Sequence, residues 1–134
     1  MFRPRIIPVL LLQDQGLVKT IKFKNPSYVG DPINAVKIFN ELKSDELIFL
    51  DILASSQNRT ISPETVKRIG HEAYMPISVG GGIRAIDQVK ALIRSGAEKV
   101  ILNTGAVERP LLIKEAAQEC GSQSVVVCID IKKT

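Results

Sequence analysis

The stretch PISVGGGIRAIDQVKALIRSGAEKVILNTG, residues 76–105, decides the fold because two short apolar runs lie on either side of a helical pattern within it. The runs Pro76–Val79 and Lys99–Leu102 are rich in aliphatic residues and mostly do not alternate with polar ones. Such runs are typical of strands in a parallel sheet, which are buried on both faces. Between them, apolar residues recur with the helical period at Ile86, Val89 and Ile93. The segment therefore predicts a strand, a helix with one apolar face, and a second strand.

The same pattern extends over the rest of the chain. Further apolar runs occupy Arg5–Leu12, Glu46–Ile52 and Ser124–Ile129, and helical periodicity separates the successive runs. Asp31 and Ser62 are each followed by proline, and a capping side chain before proline at the first helical position is a signal for a helix start. The predicted order is therefore strand and helix four times over, followed by a fifth strand.

Repeating strand–helix units form either a doubly wound sheet or a closed barrel of eight units. A complete barrel takes roughly 250 residues, whereas this chain has 134. An open fragment would expose strand edges and one apolar face. The sequence predicts an α/β fold of the TIM-type (βα)8 barrel family, with residues 1–134 as its N-terminal half. This half is either part of a longer chain or needs a missing half-barrel or another copy of the chain as a partner.

Composition excludes several classes of function. A composition of 45% hydrophobic and 24% charged residues is typical of an ordinary soluble globular domain. The net charge of +4 suits an anionic small molecule. With six aromatic residues, no Trp and no clustered arginines, the sequence offers no platform for stacking nucleic-acid bases. The longest apolar run, Ile6–Leu12, is too short for a membrane span. Cys120 and Cys128 show no pairing or metal spacing, so we expect a reduced, cytoplasmic chain without a metal or cofactor.

Polar residues and glycines follow the predicted strands at the ends where parallel strand–helix folds gather their reactive groups. We call the edge formed by the carboxyl ends of the strands the rim. The residues that we assign to it are Asp51, Gly80, Gly81, Gly82, Asn103, Thr104 and Asp130. The glycines precede a predicted helix, so backbone N–H groups at its N-terminus can approach an anion. Asn103 and Thr104 add side-chain donors just ahead of a further helix with Pro110 near its start. The two turns together predict a phosphate site, although three glycines alone would also suit a tight turn.

Asp130 directly follows the apolar run that predicts the fifth strand. A carboxylate beside buried residues is costly to keep without a purpose, so one interpretation is a general acid or base. The other interpretation is a carboxylate that caps the next turn or pairs with a lysine.

The segment Gln13–Gly30 is longer than an ordinary connection. Within it, Lys19, Lys22 and Lys24 alternate with apolar residues, which predicts a small mobile hairpin that brings positive charge over the rim. The helical period places the sole histidine, His71, on an outward face, away from catalysis.

At the opposite rim, Arg5, Glu46 and Lys99 each stand at the start of a predicted strand. They would form either a charged ring that closes the barrel floor or a set of solvated charges flanking the strands. Spacing alone favours the solvated charges.

The chain resembles the family of cyclase subunits of imidazole glycerol phosphate synthase, an eight-unit barrel of histidine biosynthesis. The similarity runs along the whole chain and corresponds to the first half of that barrel plus one strand. It rests on the segments Arg5-Ile6-Ile7, Gly30-Asp31-Pro32, Phe49-Leu50-Asp51-Ile52, Val79-Gly80-Gly81-Gly82-Ile83, Asn103-Thr104, Ala106-Val107-Glu108 and Gly121-Ser122-Gln123 through Asp130.

The resemblance implies a set of roles. In that family a glutaminase partner at the N-terminal face of the barrel supplies ammonia, which crosses the interior to a phosphorylated nucleotide at the top. Asp130 then corresponds to a catalytic carboxylate, and Lys19 to a substrate-facing lysine. The residues that match one phosphate site are Gly82, Asn103 and Thr104. The residues that match the ammonia gate, in place of solvated charges, are Arg5, Glu46 and Lys99.

One position departs from the family. Leu11 stands at the end of the first strand, where the family has its other catalytic Asp, and leucine can neither accept nor donate a proton. Some relatives accompany sugar amidation in surface polysaccharide synthesis, which needs ammonia delivery rather than cyclisation. Three functions stay open: the histidine-pathway cyclase, a paralogue that channels ammonia for sugar amidation, and a catalytically silent scaffold for a glutaminase.

Overall fold

A computed structural model describes residues 2–133. Within that range the strands are β1 (Val9–Gln13), β2 (Gly16–Ile21), β3 (Lys24–Gly30), β4 (Leu47–Asp51), β5 (Ile77–Gly80), β6 (Lys99–Leu102) and β7 (Val125–Val127). The helices are α1 (Pro32–Glu41), α2 (Pro63–Glu72), α3 (Ile86–Arg94), α4 (Thr104–Glu108) and α5 (Leu111–Cys120), followed by a 3₁₀ turn at Ser122–Ser124. None of these helices has the length and apolar character that crossing a bilayer requires.

The strands form a single sheet in the order β3-β2-β1-β4-β5-β6-β7. Parallel pairing joins β1, β4, β5, β6 and β7, and each lies beside the parallel strand that precedes or follows it along the chain. A doubly wound sheet would reverse its strand order at a switch point, and this sheet does not. Sequential parallel order is that of a (βα)8 barrel. The prediction of a TIM-type α/β half-barrel, with four strand–helix units and a fifth strand, is confirmed.

The hydrophobic core lies between the sheet and its helices. Because strand residues alternate between the two faces of a sheet, every second residue of the central strands points toward the helices. On the sheet side these buried residues are Leu47, Phe49, Ile77, Val79, Val100 and Leu102. On the helix side they are Val36, Val66, Ile69, Val89, Leu92, Leu112 and Ala116.

The other face of the sheet corresponds to the interior of a closed barrel. Ser78 and Ile101, in the central strands, are buried on this face, whereas Val9 is 53% and Val126 is 36% exposed. Within residues 2–133 the outermost strands, β3 and β7, have one free edge each. The strands are therefore covered by helices on one face, while the inner face is open toward its two sides.

Two strands are shorter than the apolar runs that predicted them. β1 begins at Val9 rather than at Arg5, because Pro8 has no N–H to donate to a sheet ladder. Its pairing with β4 starts where the Ile48 N–H donates to the Pro8 carbonyl oxygen at 2.9 Å. β7 ends at Val127, two residues before the apolar run ends.

The starts of α1 and α2 confirm the capping signals. Asp31 Oδ1 accepts hydrogen bonds from the N–H groups of Ile33 at 2.8 Å and Asn34 at 3.2 Å. Ser62 Oγ accepts the N–H of Thr65 at 3.4 Å. Each cap satisfies N–H groups that have no partner inside the helix, so the side chains before the prolines set both helix starts.

The chain after Asn103 differs from the prediction of one helix with Pro110 near its start. α4 has only 5 residues, and α5 begins directly after Pro110. Proline has no N–H for an intrahelical bond and disfavours helical geometry in the residue before it. Pro110 therefore separates two helices where the sequence pattern suggested one.

The predicted hairpin in Gln13–Gly30 is present as β2 and β3. β2 pairs with β1 in antiparallel register, with Leu11 opposite Val18, so the hairpin extends the sheet beyond β1. At its tip Lys22 and Phe23 both have positive φ, as the tight two-residue turns of hairpins require.

We predict that residues 1–134 alone do not form a stable monomer. The apolar inner face and the free edges of β3 and β7 favour association with other chains, because an unpaired strand edge is a template for further pairing. Analytical ultracentrifugation of the isolated segment should show self-association or an expanded chain. A compact, folded monomer at micromolar concentration would falsify this prediction.

Candidate functional site

A cavity of about 350 Å³ opens at the carboxyl ends of the parallel strands. Its walls come from the ends of β1, β4, β5 and β6, from the start of α4 and from the tip of the hairpin. The predicted residues among its lining are Asp51, Gly81, Gly82, Asn103, Thr104 and Asp130. The structure thus brings most of the predicted rim residues to one cavity.

The glycine turn after β5 packs so closely on the loop after β4 that no side chain fits. Gly81 has φ +128° and Gly82 has φ +67°, a region that favours glycine. A Cβ on Gly81 would lie 2.6 Å from the Asp51 carbonyl oxygen, and one on Gly82 would collide with the carbonyl oxygen of Arg59. Glycine here therefore lets the backbones of neighbouring loops touch.

In the described part of the chain, backbone N–H groups without a protein acceptor occur in both turns that border the cavity. No hydrogen bond within residues 2–133 uses the N–H groups of Gly82, Thr104 or Gly105, and all of these residues line the cavity. By contrast, the Arg84 and Ala85 N–H groups donate to Gln88 Oε1 at 2.8 and 3.1 Å. The side chain of Gln88 thus occupies the start of α3, which the sequence predicted to bind an anion. The backbone N–H groups that remain without an acceptor among these described residues lie in the glycine turn and at the start of α4.

Asp130 and Asn103 meet at the cavity. Asn103 Nδ2 donates a hydrogen bond to Asp130 Oδ2 at 2.8 Å, while Oδ1 of Asp130 accepts no bond from the part of the chain that the structure describes. The amide holds the carboxylate in one orientation and leaves one oxygen for a ligand. Such an arrangement can hold or transfer a proton at Oδ1.

Leu11 lines the same cavity as Asp130. It lies beside Leu50 of β4 in the sheet register, and Ile101 of β6 adds a further apolar group. Position 11 therefore faces the cavity, where an acidic side chain would be close to the rim.

Two predicted binding residues do not reach the cavity. Gly80 lies within β5, where an added Cβ would stand 2.9 Å from both the Leu50 side chain and the Ile101 carbonyl oxygen. Gly80 therefore allows the neighbouring strands to pack closely and has no contact with the cavity. Lys19 is exposed on β2 opposite Ser27 and does not line the cavity.

The hairpin instead reaches the cavity through Thr20 and Phe23. Because side chains of a strand alternate between faces, Thr20 points to the opposite side from Lys19. The sequence analysis assigned the site role to Lys19, from its charge and the family resemblance, and gave none to Phe23, which is 90% exposed at the tip of the hairpin.

Asp51 is held by a neighbour that the sequence analysis missed. Arg59 Nη1 lies 2.6 Å from Asp51 Oδ2, and Asp51 Oδ1 accepts the N–H groups of Leu53 at 3.0 Å and Ala54 at 3.1 Å. The hydrogen bond to Asp51 raises the pKa of Arg59 above its ordinary value, against the opposing effect of desolvation. Asp51 thus orders the loop after β4, and its contact with a ligand stays a prediction. Arg59 lies in an aperiodic loop, so no pattern pointed to it.

Arg84 also escaped the sequence analysis. Its guanidinium group contacts Ser55, in the loop after β4, and Glu108, the last residue of α4. The residue follows the glycine turn directly and lines the cavity, but nothing in its spacing indicated which acceptors it would meet.

At the opposite end of the sheet, the structure brings the three predicted gate residues together. Glu46 is only 6% exposed. Its Oε1 accepts hydrogen bonds from Arg5 Nη1 at 2.7 Å and from Lys99 Nζ at 3.2 Å. A buried carboxylate needs such partners because desolvation without them is costly. The cluster is formed, and its role as a gate stays a prediction.

Other candidate groups lie away from the cavity or fall short of a site. His71 is exposed on α2, as predicted. Across residues 2–133, no group of three or more His, Cys, Asp or Glu side chains is placed to hold a metal ion. A second cavity of about 870 Å³ lies between the hairpin and the start of α2, lined by residues that include Tyr28 and Ser62. Among the predicted binding residues it reaches only Asp51.

Comparison with known proteins gives close relatives. The chain is 51% identical over 133 residues to the "Putative imidazole glycerol phosphate synthase subunit HisF" of Leptospira borgpetersenii, covering 99% of this chain and 52% of that protein. It is 43% identical over 133 residues to the imidazole glycerol phosphate synthase subunit HisF of Streptococcus mutans, covering 99% and 53% respectively. The chain spans about half the length of the curated relatives it matches.

The resemblance to this family, predicted from the sequence motifs, is confirmed by these relatives. A family model described as "Histidine biosynthesis protein" matches residues 5–134. Because that match covers nearly the whole chain, the protein belongs to the histidine biosynthesis protein family.

Proposed function

We propose that this chain is the N-terminal half of a barrel of the imidazole glycerol phosphate synthase cyclase type, which uses glutamine-derived ammonia on a phosphorylated nucleotide. The observation that carries the proposal is the hydrogen bond between Asn103 and Asp130 beside Gly82. It joins a candidate acid–base group to a candidate phosphate site within one cavity. The names of the relatives support the same activity.

The phosphate end of the proposed substrate would lie between the two turns. The N–H groups of Gly82, Thr104 and Gly105 and the Thr104 hydroxyl group are donors of the kind that bind phosphate oxygens. Asn103 donates to Asp130, so its second amide hydrogen is left for the ligand. The cavity volume of about 350 Å³ accepts a sugar phosphate, since ligand cavities start at roughly 300 Å³.

The other end of the half-barrel would receive ammonia. In this proposal a glutaminase subunit docks at the amino ends of the strands, where Glu46, Arg5 and Lys99 form a charged floor. Ammonia formed there would cross the inner face of the sheet to reach the cavity. Cys120 and Cys128 are both free, which agrees with the reducing cytoplasm in which we place the protein.

Leu11 favours a second candidate function. The cavity holds Asp130 but has leucine at position 11, where the family has its other catalytic Asp. A barrel that delivers ammonia for sugar amidation needs the phosphate site and the ammonia path, but it does not need both proton-transfer groups. An ammonia-channelling paralogue therefore fits this position better than a fully active cyclase does.

An assay of the purified full-length protein, with both halves of the barrel, for turnover of the histidine-pathway nucleotide with ammonium salt and no glutaminase tests the proposal. Turnover supports the cyclase. Phosphate binding without turnover supports the paralogue. A protein that does neither is a scaffold for a glutaminase, and the proposed function is then wrong.

Asn103→Ala should weaken binding of a phosphorylated ligand. Losing a hydrogen bond to a charged group costs about 1.5 to 3 kcal/mol, and calorimetry measures the change in affinity. Asn34→Ala, at an exposed position of α1, is the matched control and should bind as the wild type does. Unchanged affinity in Asn103→Ala would exclude the phosphate site described above.

Lys99→Met should reduce glutamine-dependent turnover in the complex with the glutaminase more than turnover with added ammonium salt. The substitution removes one of the two cations that hold Glu46 at the floor, so it disturbs ammonia passage and leaves the cavity intact. Lys90→Met, which removes a surface ion pair with Glu119, serves as the control. Equal losses in both assays would mean that the cluster at the floor is structural.

Leu11→Asp should raise histidine-type cyclase activity above a very low wild-type level. The new carboxylate would face the cavity with Asp130, and general acid–base groups typically contribute about 10² to 10⁴-fold to a rate. Val9→Asp places a carboxylate on the same face of β1, further from the rim, and should recover nothing. The prediction is wrong if the wild type is already highly active, or if a folded Leu11→Asp variant binds the nucleotide and stays inert.

A further inference from the structure

A single side chain, Arg84, joins three of the loops that form the rim. Its Nη2 lies 3.1 Å from Ser55 Oγ and 3.3 Å from the Ser55 carbonyl oxygen, in the loop after β4. Its Nε lies 3.2 Å from Glu108 Oε2, in the last residue of α4. Arg84 itself follows the glycine turn after β5. The guanidinium group therefore connects the segments that follow β4, β5 and β6.

Hydrogen bonds fix both the backbone and the side chain of Arg84. The N–H groups of Arg84 and Ala85 donate to Gln88 Oε1 in the first turn of α3, which fixes the backbone. The side chain is 31% exposed, and each of its three nitrogen atoms has a protein acceptor. These contacts use four of the five guanidinium N–H donors, so the group is placed mainly to connect the segments around it.

The loops that Arg84 connects touch one another through their backbones. A Cβ on Gly82 would collide with Arg59 in the loop after β4, and a Cβ on Gly105 would collide with the Ile83 carbonyl oxygen. No side chain separates these segments, so the spacing between the glycine turn and α4 depends on the contacts that hold the loops together. That spacing decides whether the N–H groups of the two turns can reach the same anion.

We infer that Arg84 is a positioning residue that holds the glycine turn and the start of α4 at the separation needed to bind one phosphate. The inference rests on the proposed phosphate-binding function. A planar guanidinium group can bond Ser55 and Glu108 at once, whereas the ammonium group of a lysine acts as a single point charge. Exposed ion pairs contribute little to global stability. Loss of the Arg84 contacts should therefore lower the affinity for phosphate more than the free energy of unfolding.

The test uses the complete barrel, with its second half present, and measures the Kd for inorganic phosphate and the melting temperature of Arg84→Gln, Arg84→Lys and Glu108→Ala. We expect each variant to weaken phosphate binding by about tenfold, the lower end of the loss seen when a residue that orients a metal ligand is removed. The melting temperature should change little. The double variant with Arg84→Gln and Glu108→Ala should bind no more weakly than Arg84→Gln, since both remove the same connection.

Arg109 and Glu115 supply a matched control. They form an exposed ion pair between the end of α4 and α5 that touches neither the glycine turn nor the loop after β4. Arg109→Gln and Glu115→Ala change the same charges as the test variants and should leave the phosphate Kd unchanged.

Three outcomes would overturn the inference. Equal weakening by Arg109→Gln and Arg84→Gln would show an effect of net charge. Full retention of affinity in Arg84→Lys would show that charge alone matters at this position. Unchanged or tighter binding in Glu108→Ala, with weaker binding in Arg84→Gln, would make Arg84 a direct ligand of phosphate.

Hydrogen exchange separates this inference from the proposed function. If the wild-type protein binds no phosphate, the proposed function is wrong, and amide exchange still tests the positioning role. Arg84→Gln should then speed exchange in the loop between β4 and α2, where Leu53 and Ala54 donate to Asp51, relative to Arg109→Gln. Equal exchange in the two variants would show that Arg84 does not order the rim.

Discussion

Parallel pairing of β1, β4, β5, β6 and β7 is the constraint on which the rest of the molecule depends. Because the strands run in one direction, all of their carboxyl ends meet at one edge and all of their amino ends at the other. Helices cover one face of the sheet with apolar side chains, so the charged and amide groups of the candidate sites lie at the strand ends. The Asn103–Asp130 contact and the Glu46 cluster lie at opposite edges for this reason.

The loops at the carboxyl ends of the strands pack closely on one another. Charged side chains that are partly buried between these loops therefore need partners. Asp51 is only 10% exposed in its side chain, and an unpaired carboxylate at that depth would be costly. Arg59 and two backbone N–H groups meet the requirement. Arg84 satisfies it across three loops with Ser55 and Glu108. The ion pairs of the rim thus hold together the loops that surround the cavity.

The regular parts of the fold could be predicted from the sequence because they follow from periodicity and capping. The capping side chains Asp31 and Ser62 fixed two helix starts, and short aliphatic runs located the parallel strands. The contacts of Arg59 and Arg84 could not be predicted, since they depend on loop conformations that leave no period in the sequence. For Lys19 the error lay in the direction of the side chain. Its charge suggested a contact with the substrate, but side chains alternate along β2, and the neighbouring Thr20 lines the cavity instead.

Leu11 changes the character of the inner face as well as removing an acid. Together with Leu50 and Ile101 it gives the cavity an apolar wall opposite Asp130. An apolar environment disfavours the charged form of a base because desolvation penalises the charge. Within the proposed function, ammonia that reaches this wall would meet one carboxylate, Asp130, instead of two, so less negative charge would be present to hold it as ammonium. For the second candidate function, leucine at position 11 would thus weaken proton transfer while leaving the path of ammonia along the inner face in place.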